Sequence, residues 1–296
     1  QRHSTNGSRL TISRKMDLDV YVRIATLHEA IGGIVRMNGN INVAFGVTAY
    51  GPIWAPAVSS WLRALGYAAR FFAVEHIGKI GGAGVTDRTY TANAENQLAQ
   101  EMLDGESFTH LFLSEMDMIL PHDTIIKLAE LDKDIAGGVY FLRGEVQPAR
   151  GQPCLYKKAP AIEWDKRRIA HEQGKYLHTP VSLFPRDTAF PVDHIGLGCA
   201  LIKRHVFEKL AKPWFDVKSA NAQEYSGYGS DMYFFTHVKE AGFEVWCDPT
   251  VICGQIDYYV TDIDDYMWQL ENDPKFAGRG YIVGTGGPKQ VEHRFD

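Results

Sequence analysis

The sequence has no hydrophobic run that approaches the ~20 residues needed to span a bilayer, and it has no excess of positive charge. Its 31 Lys and Arg are outnumbered by 36 Asp and Glu, which gives a formal net charge of −5. Proteins that bind nucleic-acid backbones in general usually carry a basic face. The charge balance therefore argues against that class, although it leaves room for a local basic groove, and no membrane span is expected.

Cysteine is also scarce, with four residues in a chain of 296: Cys154, Cys199, Cys247 and Cys253. No two of them have the spacing of a metal-binding pair. Three lie inside apolar runs, where free cysteines commonly behave as small hydrophobic residues. This usage predicts a reducing, cytoplasmic setting.

The chain does contain alternating strand and helix patterns up to residue 142. The patterns predict strands at 41–47, 67–74, 110–115 and 135–142, and helices at 55–65 (ending at Gly66), 88–103 and 124–131. This order predicts an α/β fold with a largely parallel sheet. Residues 15–40 fit both strand and helix periodicities, and we make no prediction for them.

Two segments break this order. The Gly-rich stretch 78–84 lacks the Gly-Lys-Ser/Thr ending of a phosphate-binding loop, so we predict a mobile loop there. Residues 144–192 are rich in proline, which predicts an irregular insert or a hairpin that covers the sheet edge. Its Lys and Arg cluster at 157–168 is more typical of a solvated face than of a binding patch.

Two carboxylates, Glu115 and Asp117, follow the apolar run that begins at His110. On a strand, an i, i+2 spacing points both side chains to one face. Hard oxygen ligands at a strand end suit Mg²⁺ or Mn²⁺, with open positions for substrate phosphates. A strand that merely meets solvent would explain this segment equally well. The following short helix and the strand at 135–142 make a βαβ unit, however, and ligands of parallel sheets lie beyond the carboxyl ends of strands.

A second polar segment, 227–242, is predicted to be a glycine loop that enters a helix. Ser230 is a natural N-cap, and Gly242 suits the end of the helix. Asp231 then lies in the first turn, where the helix dipole favours a carboxylate. That structural role alone would explain Asp231, but the preceding glycines also allow the loop to approach a ligand closely.

Taken together, residues 41–257 resemble the GT-A glycosyltransferases, in particular the family 2-like enzymes of phages and bacteria. Four pieces carry the resemblance, namely Glu115-Met-Asp117 (like the DxD metal motif), 137–143, 196–204 with Pro213-Trp214-Phe215, and Gly229-Ser230-Asp231 (like Gly-Glu-Asp). The implied fold is a Rossmann-like, GT-A-type, mostly parallel central sheet flanked by helices, with an irregular acceptor-side insert. The implied domains are an N-terminal extension at 1–40, partly disordered, the transferase domain at 41–257, and a C-terminal helix with a flexible tail or lid at 258–296.

The resemblance implies that Glu115 and Asp117 hold Mn²⁺ or Mg²⁺ and that Asp231 is the catalytic base. The family often has a metal-binding His where this chain has Gln255, whose carbonyl oxygen can also bind such a cation; Asp257 is a possible substitute. Ser230 replaces the Glu of the Gly-Glu-Asp motif.

For the nucleotide-sugar donor, with UDP-sugars favoured, the resemblance points to Thr48, Tyr50, Arg88, Asn93 and Asn96. Surface positions in a loop and on a helix explain these residues equally well. On the acceptor side it points to Trp214, which could form a platform or pack in the core, and to Ser230.

The function implied is an inverting, metal-assisted transfer of a sugar to a hydroxyl group. Two alternatives stay open. One is a phage-type DNA glycosyltransferase acting on a hydroxylated base, with modified DNA as the acceptor, which would need a basic groove and base extrusion. The other is a metal-dependent nucleotidyltransferase, which would need further acids converging on two metal ions.

Overall fold

The structure is a computed structural model that describes residues 40–86, 89–141, 152–160, 176–217 and 229–256, with short pieces at 260–261, 263–264, 266–267, 281–282 and 289–290. The chain divides into Gln1–Asn38 and Gly39–Asp296, and every described residue belongs to the second unit. The N-terminal extension, Arg88, Asp257, the basic residues at 166–168 and most of the tail lie outside the described residues, so the predictions for them stay predictions.

The helices and strands follow in chain order. The helices are α1 (Ala55–Glu75), α2 (Thr91–Asp104), α3 (Thr124–Glu130), α4 (Arg204–Lys209) and α5 (Ser230–Glu240). The first strands are β1 (Ile41–Thr48), β2 (Gly78–Val85), β3 (His110–Glu115), β4 (Met118–Ile119), β5 (Ile135–Val139), β6 (Leu155–Pro160), β7 (Tyr176–Leu183) and β8 (Phe190–Val192). The later strands are β9 (His194–Ile195), β10 (Cys199–Lys203), β11 (Val245–Ile252), β12 (Gly254–Ile256), β13 (Val260–Thr261), β14 (Tyr281–Ile282) and β15 (Lys289–Gln290).

The central sheet has seven strands in the order β2-β1-β3-β10-β5-β11-β8. Strands β2, β1, β3, β5 and β11 share one direction, whereas β10 and β8 run against their neighbours. The predicted α/β fold, a mostly parallel sheet flanked by helices, is thereby confirmed and is consistent with a GT-A-type arrangement. Strands β3 and β5 are parallel as the βαβ unit predicts, but β10 lies between them.

The segment predicted to be an irregular insert or hairpin contributes to a second sheet, ordered β15-β14-β7-β6-β9, in which β6 and β7 pair antiparallel. A third small sheet, β13-β12-β4, forms beside the end of β3. The run 192–202 holds the end of β8, all of β9 and most of β10, so the chain passes from the central sheet to the second sheet and back within eleven residues.

Helix α1 continues through Gly66 to Glu75, so the predicted strand at 67–74 is wrong. Its buried residues recur every three or four positions along the whole length: Ala57, Ser60, Trp61, Ala64, Ala68 and Phe72. One glycine costs a helix only about 1 kcal/mol, which this continuous buried face outweighs. The helix ends at His76, which has left-handed backbone angles and donates its N–H to the carbonyl of Phe72.

The Gly-rich stretch is strand β2 at the edge of the central sheet, so the predicted mobile loop is also wrong. Strand β2 pairs parallel with β1 over its length. A Cβ on Gly81 would lie 2.6 Å from the ring of Phe108, so glycine leaves the space into which that ring packs. Glycine weakens strands in general, but here the pairing with β1 and the close packing outweigh that preference.

The core joins the sheet to α2, α4 and α5 through large buried side chains, among them Leu98, Met102, Phe207, Phe234 and Phe235. All four cysteines are free and buried, which confirms that they act as small core residues. Within the described residues, no helix is both long and apolar enough to cross a membrane.

Candidate functional site

The carboxyl ends of β1 and β3 lie side by side and bring Thr48 next to Glu115. These two residues are partners in the parallel register, and the N–H of Met116 donates to the carbonyl of Thr48 at 3.0 Å. Strand β3 ends at Glu115, so Asp117 lies in the turn between β3 and β4. The two carboxylates are therefore not carried on one face of a continuous strand, as the spacing predicted, but they remain at the predicted sheet edge.

Asp117 is buried, with 2% of its surface exposed, and it is held against β12. Gln255 donates its side-chain N–H to Oδ2 of Asp117 at 3.4 Å. The N–H of Ile256 donates to the Asp117 carbonyl at 2.8 Å. The structure thus brings together two of the three predicted metal ligands, across 138 residues of sequence.

The residues at this edge fit a hard divalent cation. Oε1 of Gln255 is buried and has no hydrogen-bond partner among the described residues, so an amide oxygen beside the Asp117 carboxylate is left to bind another group. Carboxylate and carbonyl oxygens are the ligands of Mg²⁺ and Mn²⁺. The part of the chain that the structure describes has no group of three His, Cys, Asp or Glu side chains that could hold a metal.

Asp231 lies in the first turn of α5 with about a third of its side chain exposed (32%). Its Oδ1 accepts the N–H of Met232 at 2.8 Å, and its Oδ2 lies 3.3 Å from Nε2 of His194. Burial raises the pKa of this carboxyl, but the hydrogen bond and charge of His194 and the Met232 N–H outweigh it, so the pKa lies below its usual value. Asp231 is therefore ionised at neutral pH. The N-cap of α5 is Gly229 and not Ser230 as predicted.

His194, which the sequence patterns did not single out, is the buried partner of Asp231. It is fully buried on β9, and its ring lies 4.9 Å from the rings of both Tyr156 and Phe235. Packing on two sides fixes the imidazole, so it holds the Asp231 carboxylate in one orientation. The two residues are 37 positions apart, and only the approach of α5 to β9 reveals the pair.

Glu95 is a second site residue that the sequence analysis missed. It lies on the buried face of α2 and is 2% exposed. Burial raises its pKa well above the usual value, the nearby Ser230 hydroxyl opposes that shift, and the charges of Asp231 and Glu115 raise the pKa further. The sequence did contain a signal for this position. Glu95 lies among alanines on the apolar face of an amphipathic helix, which predicts a buried carboxyl group; these alanines are Ala92, Ala94 and Ala99.

Tyr140, which directly follows β5, has a buried side chain. Burial, the Cys154 thiol and the negative charges of Glu115 and Asp231 together raise the pKa of Tyr140 well above its usual value. The hydroxyl accepts the N–H of Gly198 at 3.3 Å. The charges at the end of β3 and at the start of α5 therefore both act on this hydroxyl.

The residues predicted to bind the donor differ in their burial and in their contacts. Thr48 is buried beside Glu115, Tyr50 is 58% exposed just beyond β1, and Asn93 is exposed on α2. Asn96 instead binds the backbone of the two residues that follow Pro213. Its side chain accepts the N–H groups of Trp214 and Phe215 and donates to the carbonyls of Ala92 and Phe215.

Trp214 packs in the core, which is one of the two placements that the sequence left open. It is 4% exposed, donates its indole N–H to the carbonyl of Phe207 at 2.9 Å, and packs edge-on against the Phe207 ring. Ser230, the other predicted acceptor residue, is buried at the start of α5.

No protein-family model and no curated protein matches this chain. Solved structures are similar to it at low identity. Among them are A197 from STIV (15% identity, 86% of this chain and 100% of that chain covered, TM-score 0.47), GalNAc-T7 with UDP, GalNAc and Mn²⁺ (10%, 88% and 57%, 0.43), and the inositol-1-phosphate CTP transferase from T. maritima (12%, 79% and 98%, 0.33). With TM-scores below 0.5, these likenesses carry no argument about activity.

Proposed function

We propose that the chain is a glycosyltransferase of the GT-A, family 2-like type, which moves a sugar from a nucleotide-sugar donor, a UDP-sugar by preference, to a hydroxyl acceptor with inversion. The observation that carries the proposal is the partly exposed carboxylate of Asp231, held by buried His194 at the start of α5. A carboxylate in that position is suited to taking a proton from a substrate hydroxyl.

Asp231 receives the proton of the acceptor hydroxyl as the acceptor oxygen forms its bond to the anomeric carbon of the donor. The bond from that carbon to the diphosphate oxygen breaks on the opposite face, so the configuration inverts. The bonding electrons leave with the nucleoside diphosphate. The Met232 N–H and His194 hold both carboxylate oxygens, which orients the base. Its lowered pKa keeps it ionised, at some cost in basicity.

Glu115, Asp117 and Gln255 are the residues that would hold Mn²⁺ or Mg²⁺. A cation bound there neutralises the negative charge that develops on the departing diphosphate. Thr48, Tyr50, Arg88 and Asn93 are proposed for the donor, with the Tyr50 ring exposed at the end of β1 for stacking on a base. Asn96 is left out of this set because the Trp214 segment engages its amide.

The two alternatives have less support. A DNA glycosyltransferase needs a basic groove, whereas the chain is acidic overall. A nucleotidyltransferase that uses two metal ions needs several converging acids, and the described residues contain no such group of three.

The proposal is tested by incubating the protein with UDP-, GDP- and other nucleotide sugars, with and without Mn²⁺, and measuring release of the nucleoside diphosphate. Asp117→Ala is compared with Asp104→Ala, an exposed carboxylate at the end of α2. We expect metal-dependent release that Asp117→Ala abolishes and Asp104→Ala retains. Absence of binding and release with every nucleotide sugar would refute the proposal.

A further inference from the structure

Two polar groups lie on the otherwise apolar buried face of helix α1, the hydroxyl of Ser60 and the indole N–H of Trp61. Both bind the backbone around β4. The indole N–H of Trp61 donates to the carbonyl of Met118 at 2.9 Å, and the Ser60 hydroxyl accepts the N–H of Leu120 at 3.0 Å. Alanine and phenylalanine would keep this face apolar, so packing alone does not explain these two polar groups.

Strand β4 is the element that joins two of the proposed cation ligands. It begins directly after Asp117 and has only two residues. It pairs antiparallel with β12, where Met118 lies opposite Gln255. The Ile256 N–H in turn donates to the Asp117 carbonyl at 2.8 Å. The position of β4 therefore sets where the Asp117 carboxylate and the Gln255 amide meet, at 3.4 Å.

A strand as short as β4 needs support from outside its own sheet, because small strand pairs are only marginally stable in water by themselves. Helix α1 provides that support. It has 21 residues, and the ring of its Trp61 lies 6.4 Å from the ring of Phe45 in β1. The bonds from Ser60 and Trp61 thus tie β4 to a long helix that packs on the central sheet.

We propose that Trp61 is a positioning residue of the proposed cation site. Its indole N–H, together with the Ser60 hydroxyl, fixes β4 and thereby holds the Asp117 carboxylate beside the Gln255 amide. Groups behind metal ligands orient those ligands, and losing one typically costs about 10- to 100-fold in metal affinity. The inference rests on the proposed function for its consequence in cation binding, whereas the placement of Asp117 and Gln255 is measurable without a cation.

Trp61→Phe tests the inference, because it keeps an aromatic ring and removes the indole N–H. The structure offers a matched control in Trp214→Phe. Trp214 is as buried as Trp61, at 4% against 5%, and it also donates its indole N–H to a backbone carbonyl, that of Phe207, at 2.9 Å. The control therefore removes a bond of the same kind and length from a segment that holds none of the proposed cation ligands.

Binding of Mn²⁺ alone is measured from the electron paramagnetic resonance signal of the free ion, with both variants folded. We expect Trp61→Phe to weaken Mn²⁺ binding by about 10- to 100-fold. Trp214→Phe should bind Mn²⁺ as the wild type does, although both variants lose resistance to urea. Wild-type affinity in Trp61→Phe, or equal weakening in the two variants, would overturn the inference.

Ser60→Ala keeps the proposal testable if Trp61→Phe does not fold. It leaves the indole in place and removes the acceptor of the Leu120 N–H. We expect it to weaken Mn²⁺ binding, whereas Ser59→Ala, at an exposed neighbouring position on α1, does not. Equal affinities in Ser60→Ala and Ser59→Ala would contradict the role of α1.

The NMR signals of the Gln255 side-chain amide give a readout that needs neither cation nor activity. We expect them to shift in Trp61→Phe and Ser60→Ala and to stay in place in Trp214→Phe and Ser59→Ala. Unmoved signals in the first two would overturn the positioning role. If the wild-type protein binds no Mn²⁺ and releases no nucleotide, the proposed function fails, and these signals still decide whether Trp61 positions Gln255.

Discussion

Two carboxyl groups a short distance apart, Glu95 and Asp231, have opposite environments. Asp231 is partly exposed, with a pKa lowered by His194 and a backbone N–H, and Glu95 is buried, with a raised pKa. The two carboxyl groups thus have pKa values shifted in opposite directions. Such a separation of pKa values is how proteins assign different tasks to chemically similar groups.

The raised pKa of Glu95 predicts a pH-dependent effect on stability. Above the unfolded-state pKa of about 4.3, the folded protein binds the proton that the unfolded chain has lost, so this contribution to stability falls as pH rises through the folded pKa. The slope reaches at most about 1.4 kcal/mol per pH unit. Glu95→Gln removes this pH dependence. In urea titrations, we therefore expect the free energy of unfolding of the variant to rise relative to that of the wild type between pH 5 and pH 8.

Asp231 has the opposite sign, because its folded pKa is depressed and its contribution is lost as pH falls through that value. The Glu95 effect on stability appears at higher pH than the Asp231 effect, so the two effects can be measured separately. A Glu95→Gln variant whose stability difference from wild type stays constant from pH 5 to pH 8 would show that Glu95 is ionised in the folded protein.

Asn96 supports a prediction that distinguishes a structural residue from a donor ligand. Asn96→Ala removes bonds to two backbone N–H groups and two carbonyls of a buried segment, and one unsatisfied buried group costs about 1–3 kcal/mol. We expect a loss of that order or more in thermal or urea unfolding, with the KM of the donor unchanged below the melting transition. Asn93→Ala, an exposed neighbour on the same helix, serves as the control; a raised KM with unchanged stability in Asn96→Ala would restore the donor role.

At the scale of the elements, glycine was the residue type that misled the sequence analysis. Gly66 suggested a helix end and the stretch 78–84 suggested a loop, but the first lies inside α1 and the second forms β2. Local propensity is a weak prior that packing overrides. The strands at 41–48 and 110–115 and the helix at 124–130 were predicted well, because their apolar patterns and punctuating residues agree.

Two glycine substitutions should have opposite effects. Gly66 has open space around the position of a Cβ, whereas a Cβ on Gly138 in β5 would lie 2.8 Å from the carbonyl oxygen of Val251. We expect Gly66→Ala to stabilise by up to about 1 kcal/mol, since alanine favours the helix. Gly138→Ala is expected to destabilise by about 1–3 kcal/mol through overpacking. Urea unfolding of both variants measures this, and stabilisation by Gly138→Ala would contradict the packing of β5 against β11.

At the scale of the whole molecule, the α/β class and the sheet edge that carries the site could be predicted, and the long-range arrangement could not. The placement of β10 between β3 and β5 depends on a chain segment some 60 residues further on. The contacts of Asp117 with Gln255 and of Asp231 with His194 join residues far apart in sequence. The sequence predicted both members of the first pair but only Asp231 of the second, and the assembled sheets and helices identify His194.

Asp231→Asn tests the central claim most directly, because it removes the proposed base and preserves the shape of the side chain. With the best UDP-sugar and Mn²⁺ at neutral pH, we measure the affinity for the donor and the rate of UDP release, beside Asp187→Asn on an exposed surface. General-base catalysis contributes about 10²- to 10⁴-fold. The account predicts a loss of that size with donor affinity unchanged and a wild-type rate for Asp187→Asn. An Asp231→Asn variant that releases UDP at the wild-type rate would contradict it.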